Sequence, residues 1–449
     1  MEPIFFELTK AFRDRFHEAL HENDREFIVH SLSEAGAPDI AVLLHEFNTE
    51  EAKYVIDLLP EDMQALVLRD LDSDMRKMIL PAFAREKLAR LINLLDSDDA
   101  ADILNELPIR ESEEVIALLD HERRNQVLDL LRYPENVAGG LMAKELIKVH
   151  GDWTVVQCAK EIRKQALHVS KFYTVYVVDN KDKLLGRISL QQLVLSDLRR
   201  RVRELADEDL IFTETFTEDK EVARIMKQYD LESLPVVSHG RLVGRITIDD
   251  IVDVITEQAE EERQIMSGIT ENVEEDDSVW HNTRARLPWL LVGIAGGILN
   301  ARLMGVFEKD LARLTAIAFF VPLIQATGGN VGIQSSSLVV QSLAGRGFIN
   351  AGLWIRLGKV LAVALMNGLF LALIVLAANM LFFGNPSLSC VVSASLFGVV
   401  IFASLVGTAT PLILNRLGIN PAIASGPFIT TINDLLGLTV YFISVRLLL

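Results

Sequence analysis

One carboxylate stands alone in the last apolar stretch of the chain: Asp434, 13 residues after Pro421 and 12 before Arg446. At a helical rise of about 1.5 Å per residue it would lie roughly 20 Å from either end, near the middle of a bilayer. An ionised side chain there costs about 2.5–3.5 kcal/mol on insertion scales, so an unpaired one ordinarily faces a pathway. The cations in the other apolar segments that could pair with it instead are Lys359 and Arg302, both near segment ends. Thr430, Thr431 and Asn433 add oxygens around it, and Gly426-Pro427 and Gly437 are expected to interrupt the helix. Broken backbone at membrane depth is tolerated only where it lines a cavity or packs inside protein. The chemistry within reach of such a residue is passage of an ion or a proton.

A second apolar segment carries a matching irregularity, Thr327-Gly328-Gly329-Asn330-Val331-Gly332-Ile333-Gln334 followed by three serines. Small polar residues in a charge-free span suit either a pore lining, through Asn330 and Gln334, or close helix packing. One carboxylate is a weak ligand for a strongly hydrated ion, whereas a two-fold dimer would face two across its axis. Such a pair could hold Mg²⁺ through its hydration shell, because Mg²⁺ gives up water reluctantly.

The elements that must position these residues are five apolar stretches at about 288–306, 314–343, 357–383, 386–414 and 418–445, each long enough to span a bilayer. Arg346, Arg356 and Lys359 follow the second stretch and Arg416 the fourth, which places the N-terminal half in the cytosol. Of 44 Lys and Arg and 62 Asp and Glu, residues 288–449 hold eight and three, so this part is +5 and the preceding part −23. A front half that acidic argues against nucleic-acid binding, which needs bases to displace counterions. It suits hard cations or a solvated surface. Cys158 and Cys390 fall in different regions and suggest no disulfide. No Walker A sequence occurs and no His follows His281, which disfavours an ATPase and most membrane hydrolases.

Residues 1–136 read as short helices, punctuated by Leu59-Pro60, Leu71-Asp72, Leu95-Asp96, Leu107-Pro108 and Leu119-Asp120 at intervals of about twelve or twice that. Residues 137–257 duplicate a strand–turn–strand–helix pattern: Tyr173–Val178 and Leu185–Ser189, then Leu234–Val237 and Val243–Thr247. An acidic link, about 258–286, with Glu260–Glu262, Glu271 and Glu274–Asp277, leads to the spans at 287–449.

Taken with Asp98-Asp99-Ala100-Ala101-Asp102, Tyr133-Pro134-Glu135 to Ala138-Gly139-Gly140-Leu141-Met142, Gly328-Gly329-Asn330 and Ser425-Gly426-Pro427 through Asn433-Asp434, the chain resembles the MgtE family of bacterial magnesium channels over almost its whole length. The duplicated module resembles a CBS pair. The resemblance implies a homodimer in a bacterial inner membrane, with an all-α superhelical N domain, an α/β CBS pair, a plug helix and a five-helix pore. It implies that Asp434 is the pore carboxylate, and that cytosolic Mg²⁺ is sensed by Asp98 and Asp102 of the N domain, Asp230, Asp250 and Asp253 of the CBS pair, and Glu261 and Glu262 of the plug. Gln258 stands where an acid is expected, with Glu257 placed to compensate, and Gln341 stands where a base is common. Gly244, Thr247 and Asp250 resemble a ribose-contacting signature, which makes ATP a candidate ligand. Two other readings stay open: a transporter of broader divalent range (Co²⁺, Ni²⁺, Mn²⁺), and a membrane-anchored CBS sensor or scaffold.

Overall fold

The computed structural model describes residues 8–448 except 168, 170, 171, 173, 271, 272, 274–277 and 345–352. Tyr173, Glu271, Glu274–Asp277 and Arg346 therefore lie outside the described residues. The chain forms two compact units, residues 1–255 and 256–449.

The first unit begins with short helices from Lys10–Glu22 to His121–Leu130. Its Leu-Pro and Leu-Asp punctuation is legible as physics. Leu59, Leu71, Leu95, Leu107 and Leu119 are all buried, and the residue after each is the N-cap of the next helix. Asp72 shows the mechanism, its Oδ1 accepting from the Met75 amide at 2.7 Å and satisfying one of the donors a helix start leaves unpaired. Each leucine anchors a helix end in the common core, a contribution of about 1.5–3 kcal/mol per buried side chain. The helices needed below are α1 (Glu61–Asp70), α2 (Ser73–Ile79) and α3 (Ser97–Glu106).

The duplication appears as two three-stranded sheets of one design. The first has β1 (Ile147–His150), β2 (Thr174–Val178) and β3 (Leu184–Ser189); the second has β4 (Thr213–Glu214), β5 (Ser233–Ser238) and β6 (Arg241–Thr247). In each, the first pair is parallel and the second antiparallel, with a register shift at Val177/Val178 and at Val236/Val237. The buried Tyr176 hydroxyl meets Ser233 Oγ at 2.8 Å and ties the two repeats together. Helix α4 (Ile248–Met266) follows β6 directly and carries Asp250 and Asp253 together with Glu257, Glu261 and Glu262.

The second unit contains five candidate membrane spans among the described residues. They are formed by α5 (Val279–Val306), a 3₁₀ turn at Thr315–Phe320 leading into α6 (Val321–Ala344), α7 (Leu353–Phe383), α8 (Pro386–Arg416) and α9 (Pro427–Leu448). Helix α5 starts ahead of Pro288 and keeps that proline inside it, as spanning helices allow when neighbours satisfy the freed carbonyl. Helix α8 is the most buried span, with Ser389, Ser393, Ser395, Ser404, Gly407 and Thr408 letting its neighbours approach closely.

Two expected interruptions are corrected. Helix α6 runs unbroken through Gly328-Gly329-Asn330, and α9 runs unbroken through Gly437. These glycines serve close packing: a Cβ at Gly437 would come within 3.3 Å of Val399, and one at Gly328 within 3.1 Å of the same side chain. The real break lies before Pro427, at a 3₁₀ turn (Pro421–Ala424) and Gly426, whose φ of 61° is the left-handed region that favours glycine.

Candidate ion path and acidic sensor

In the span unit Asp434 sits two turns into α9 and is half-buried. Among the described residues it makes no ion pair or hydrogen bond, and neither Lys359 nor Arg302 reaches it. The backbone of α6 passes close by: a Cβ at Gly329 would lie 3.2 Å from Thr430 Cγ2 and 3.6 Å from Asp434 Oδ1. Asn330 and Gln334, four residues apart on α6, are both exposed and share one helix face. Thr430 and Thr431 donate their hydroxyls to the carbonyls of Gly426 (3.0 Å) and Pro427 (2.8 Å), which leaves their oxygens free only as acceptors. Thr431 also packs its methyl where a Cβ on Gly296 of α5 would be. Asn433 is 1% exposed and turned into the protein.

At the turn that starts α9, a Cβ on Gly426 would overlap the carbonyl of Met266, the last residue of α4. One on Gly268 would come within 2.7 Å of Pro427. The end of the acidic helix thus rests on the turn that starts the Asp434 helix. Gln258 is held as a donor to Glu262 Oε1 at 3.0 Å. Glu257 is exposed, and Glu261 and Glu262 are partly so.

In the first unit, carboxylates crowd together where α3 meets the start of α4. Asp98 and Asp99 occupy the first turn of α3, where the helix N-terminus favours negative charge, and Asp102 follows Asp98 by one turn. Asp250 caps α4: its Oδ2 accepts from Thr247 N at 3.0 Å and Oγ1 at 2.8 Å, an arrangement that by itself serves to start a helix. Burial, then Asp250 and Asp99, hold the Asp98 carboxyl well above the ordinary 3.8. Burial raises Asp99 to about 7 against the opposing pull of Arg69. Asp102 keeps one side open to solvent but is crowded by protein elsewhere, and burial followed by Glu135 raises it to about 7. Asp250 is raised to about 6 by burial despite its bonds from Thr247. At the rim, burial and then Asp249 and Asp70 raise Asp253.

Sequence reading missed Asp70, Asp96, Asp99 and Asp249 as members of this cluster, and Arg69 as the cation beside it. Asp96, Asp99 and Asp249 stand beside named acids in the sequence, whereas only folding brings Arg69 and Asp70 of α1 alongside α3 and α4, so spacing carried no signal for those two. Arg69 Nε donates to Asp70 Oδ1 at 2.7 Å, while Arg76 of α2 forks onto Glu106 at 2.9 Å and donates to the Arg69 carbonyl. A second feature without a sequence signal is Glu145, which is 7% exposed and accepts from Ser97 N, Ser97 Oγ and Arg123 Nη1 at 3.1, 2.7 and 2.5 Å. It fastens the start of α3 to the CBS pair. Asp230 stands apart from the cluster: it is exposed and ends the helix Asp219–Tyr229 in a left-handed conformation. Gly244 is consumed by packing, since a Cβ there would press on Met142 Sδ at 2.7 Å and the Ala143 carbonyl at 2.9 Å.

Among the described residues no three His, Cys, Asp or Glu side chains converge into a ready ligand set. Crowded carboxylates attract a cation by their summed charge without such a set.

Three family models match parts of the chain. Residues 321–444 match the divalent cation transporter family MgtE, residues 35–136 the MgtE intracellular N domain, and residues 138–198 and 202–257 the CBS domain. The chain is 38% identical over 334 residues to the magnesium transporter MgtE of Thermus thermophilus, covering 73% of each chain. It is 30% identical over 315 residues to that of Bacillus subtilis, covering 70% of each. A crystal structure of the cytosolic domain of the Mg²⁺ channel MgtE in complex with ATP is similar at 36% identity and a TM-score of 0.51, over 53% of this chain and 98% of that one. The soluble part of a magnesium transporter, at 24% identity and a TM-score of 0.50, shares the fold. This chain belongs to the MgtE family of divalent cation transporters.

Proposed function

We propose that this protein conducts Mg²⁺ across a bacterial inner membrane and is closed from the cytosolic side by Mg²⁺ itself. The observation that carries the reading is Asp434, a carboxylate without an ion pair among the described residues, in a span of a magnesium-transporter relative. Leaving it unpaired in a bilayer costs a few kcal/mol, a cost that a pathway removes by supplying water and a cation. In a homodimer two copies of Asp434 face each other and hold the hydrated ion, with Asn330 and Gln334 presented on the open face of α6.

Gating follows from the acidic cluster. At low Mg²⁺ the ionised Asp98, Asp99, Asp102, Asp250 and Asp253 repel across the contact between N domain and CBS pair, and the two separate. Bound Mg²⁺ screens them and draws the parts together. Helix α4 carries Asp250 and Asp253 on its first turns and Glu257, Glu261 and Glu262 beyond, and its last residue abuts Gly426, so the sensor acts on the turn that starts α9. ATP is a second ligand of this half: the similar cytosolic domain holds it, and Thr247 and Asp250 are the residues that would meet its ribose.

The test is Mg²⁺ uptake into proteoliposomes by the full chain and by Asp434→Ala, with Mg²⁺ varied on the cytosolic side. Wild type should conduct and then close as Mg²⁺ rises, and Asp434→Ala should not conduct. Undiminished flux in Asp434→Ala would sink the pathway assignment.

A further inference from the structure

Asn433 precedes Asp434 on α9, yet it points away from any open path. Its side chain is 1% exposed, and neither Oδ1 nor Nδ2 has a hydrogen-bond partner in the structure. The amide fills the surface of α6 left bare by Gly332, where a Cβ would overlap Asn433 Nδ2 and come within 3.5 Å of Ile429. From the other side, Gly407 of α8 closes on the same spot: a Cβ there would lie 2.5 Å from the Gly332 carbonyl. Three helices therefore meet around one amide held by shape.

We propose that Asn433 is a positioning residue, a key seated in the Gly332 notch that fixes the rotation of α9 and so aims Asp434 along the ion path. This rests on the assignment of Asp434 to that path. Successive residues on a helix project about 100° apart, since 3.6 residues make a turn. Locking the direction of Asn433 therefore locks that of Asp434. The neighbouring contacts have the same sense: Gly329 leaves room for Thr430 and the Asp434 carboxylate, and Gly328 leaves room for the Asn433 carbonyl at 3.7 Å. Small residues at these positions would serve packing alone. A buried amide without a hydrogen bond is a costly way to fill such a space, and it marks the position as more than filler.

The experiment is a double-mutant cycle in proteoliposomes of the full chain, reading half-saturating Mg²⁺ and maximal flux separately, with cytosolic Mg²⁺-induced protease protection as a control. Gly332→Ala needs the space of Nδ2, so Asn433 is expelled and α9 turns. Because such sites tolerate only about 0.5 Å of displacement, half-saturating Mg²⁺ should rise at least about twentyfold, with protection unchanged. Asn433→Ala loosens the key and should raise it by roughly threefold, with the melting temperature within about 2 °C of wild type, since it removes a buried unpaired amide. The double variant should return to within about twofold of Asn433→Ala, because the collision is gone. A double variant as impaired as Gly332→Ala, or wild-type half-saturation in Gly332→Ala, overturns the lock. If Gly332→Ala fails to reach the membrane, wild-type half-saturation in Asn433→Ala overturns it equally. Asp434→Ala run alongside separates the two ideas: conduction by that variant removes the pathway reading beneath the lock, whereas its inactivity beside a normal Gly332→Ala removes the lock alone.

Discussion

The two acidic sites of this protein are built on opposite plans. The span unit places one carboxylate, Asp434, among helices packed on glycine, serine and threonine. The first unit gathers Asp70, Asp96, Asp98, Asp99, Asp102, Asp249, Asp250 and Asp253 from three separate stretches of chain, with Arg69 as the guanidinium pulling on Asp99. A conduction site must bind weakly enough to release its ion, so a single well-aimed group is sufficient. A sensor must convert a small change in ion concentration into a change of state, and many weakly screened charges on parts that can separate achieve that. The contrast is between a precise direction and a large total charge.

Neutralising the cluster should sharpen this contrast most. Asp98→Asn, Asp102→Asn and Asp250→Asn together are expected to raise half-inhibitory cytosolic Mg²⁺ at least about tenfold, about 1.4 kcal/mol of lost coupling, while maximal flux stays unchanged. Patch current with Mg²⁺ titrated on the cytosolic face reads both quantities, and a fall in maximal flux would blur the division.

Acidity gives the next effect. Asp99 and Asp102 are raised to about 7 and Asp250 to about 6 from an ordinary 3.8, so between those values the folded unit holds protons that the unfolded chain has released. Their favourable contribution is complete below the unfolded value and is lost as pH rises through 6 and 7. In EDTA the soluble half should therefore melt roughly 5 °C lower at pH 8 than at pH 5.5. Added Mg²⁺ should restore more stability at pH 8, where the acids are ionised. A melting temperature that rises with pH in EDTA would contradict the crowding of these carboxylates.

Arg69→Gln should give the smallest shift and the most telling sign. Removing a positive charge beside the cluster deepens its negative potential, so half-inhibitory Mg²⁺ should fall by about two- to threefold. A merely structural arginine would weaken closure and move the midpoint upward.

Much of the fold was legible because its signals are local. Leu-Pro and Leu-Asp pairs marked helix boundaries, since the capping aspartate or proline and the buried leucine are adjacent in sequence. The five spans followed from length and absence of charge. The glycine-rich runs of the spans misled, because glycine serves both broken backbone and close helix approach, and only the observed packing on Asn433 and Val399 separates the two. Asp434 was visible from its isolation. The assembly of the acidic cluster was not: Asp70, the Asp96–Asp102 run and the Asp249–Asp253 run meet only after α1, α3 and α4 pack. Glu145 was hidden for the same reason, as nothing near it in sequence foretells its bonds to Ser97 and Arg123.

Separable conduction and sensing can be read from Asp434→Asn when uptake and Mg²⁺-induced protease protection are measured on the same vesicles. Flux should be lower by at least about tenfold, with the midpoint of protection unmoved. Wild-type flux, or a protection midpoint that shifts along with the flux, would contradict it.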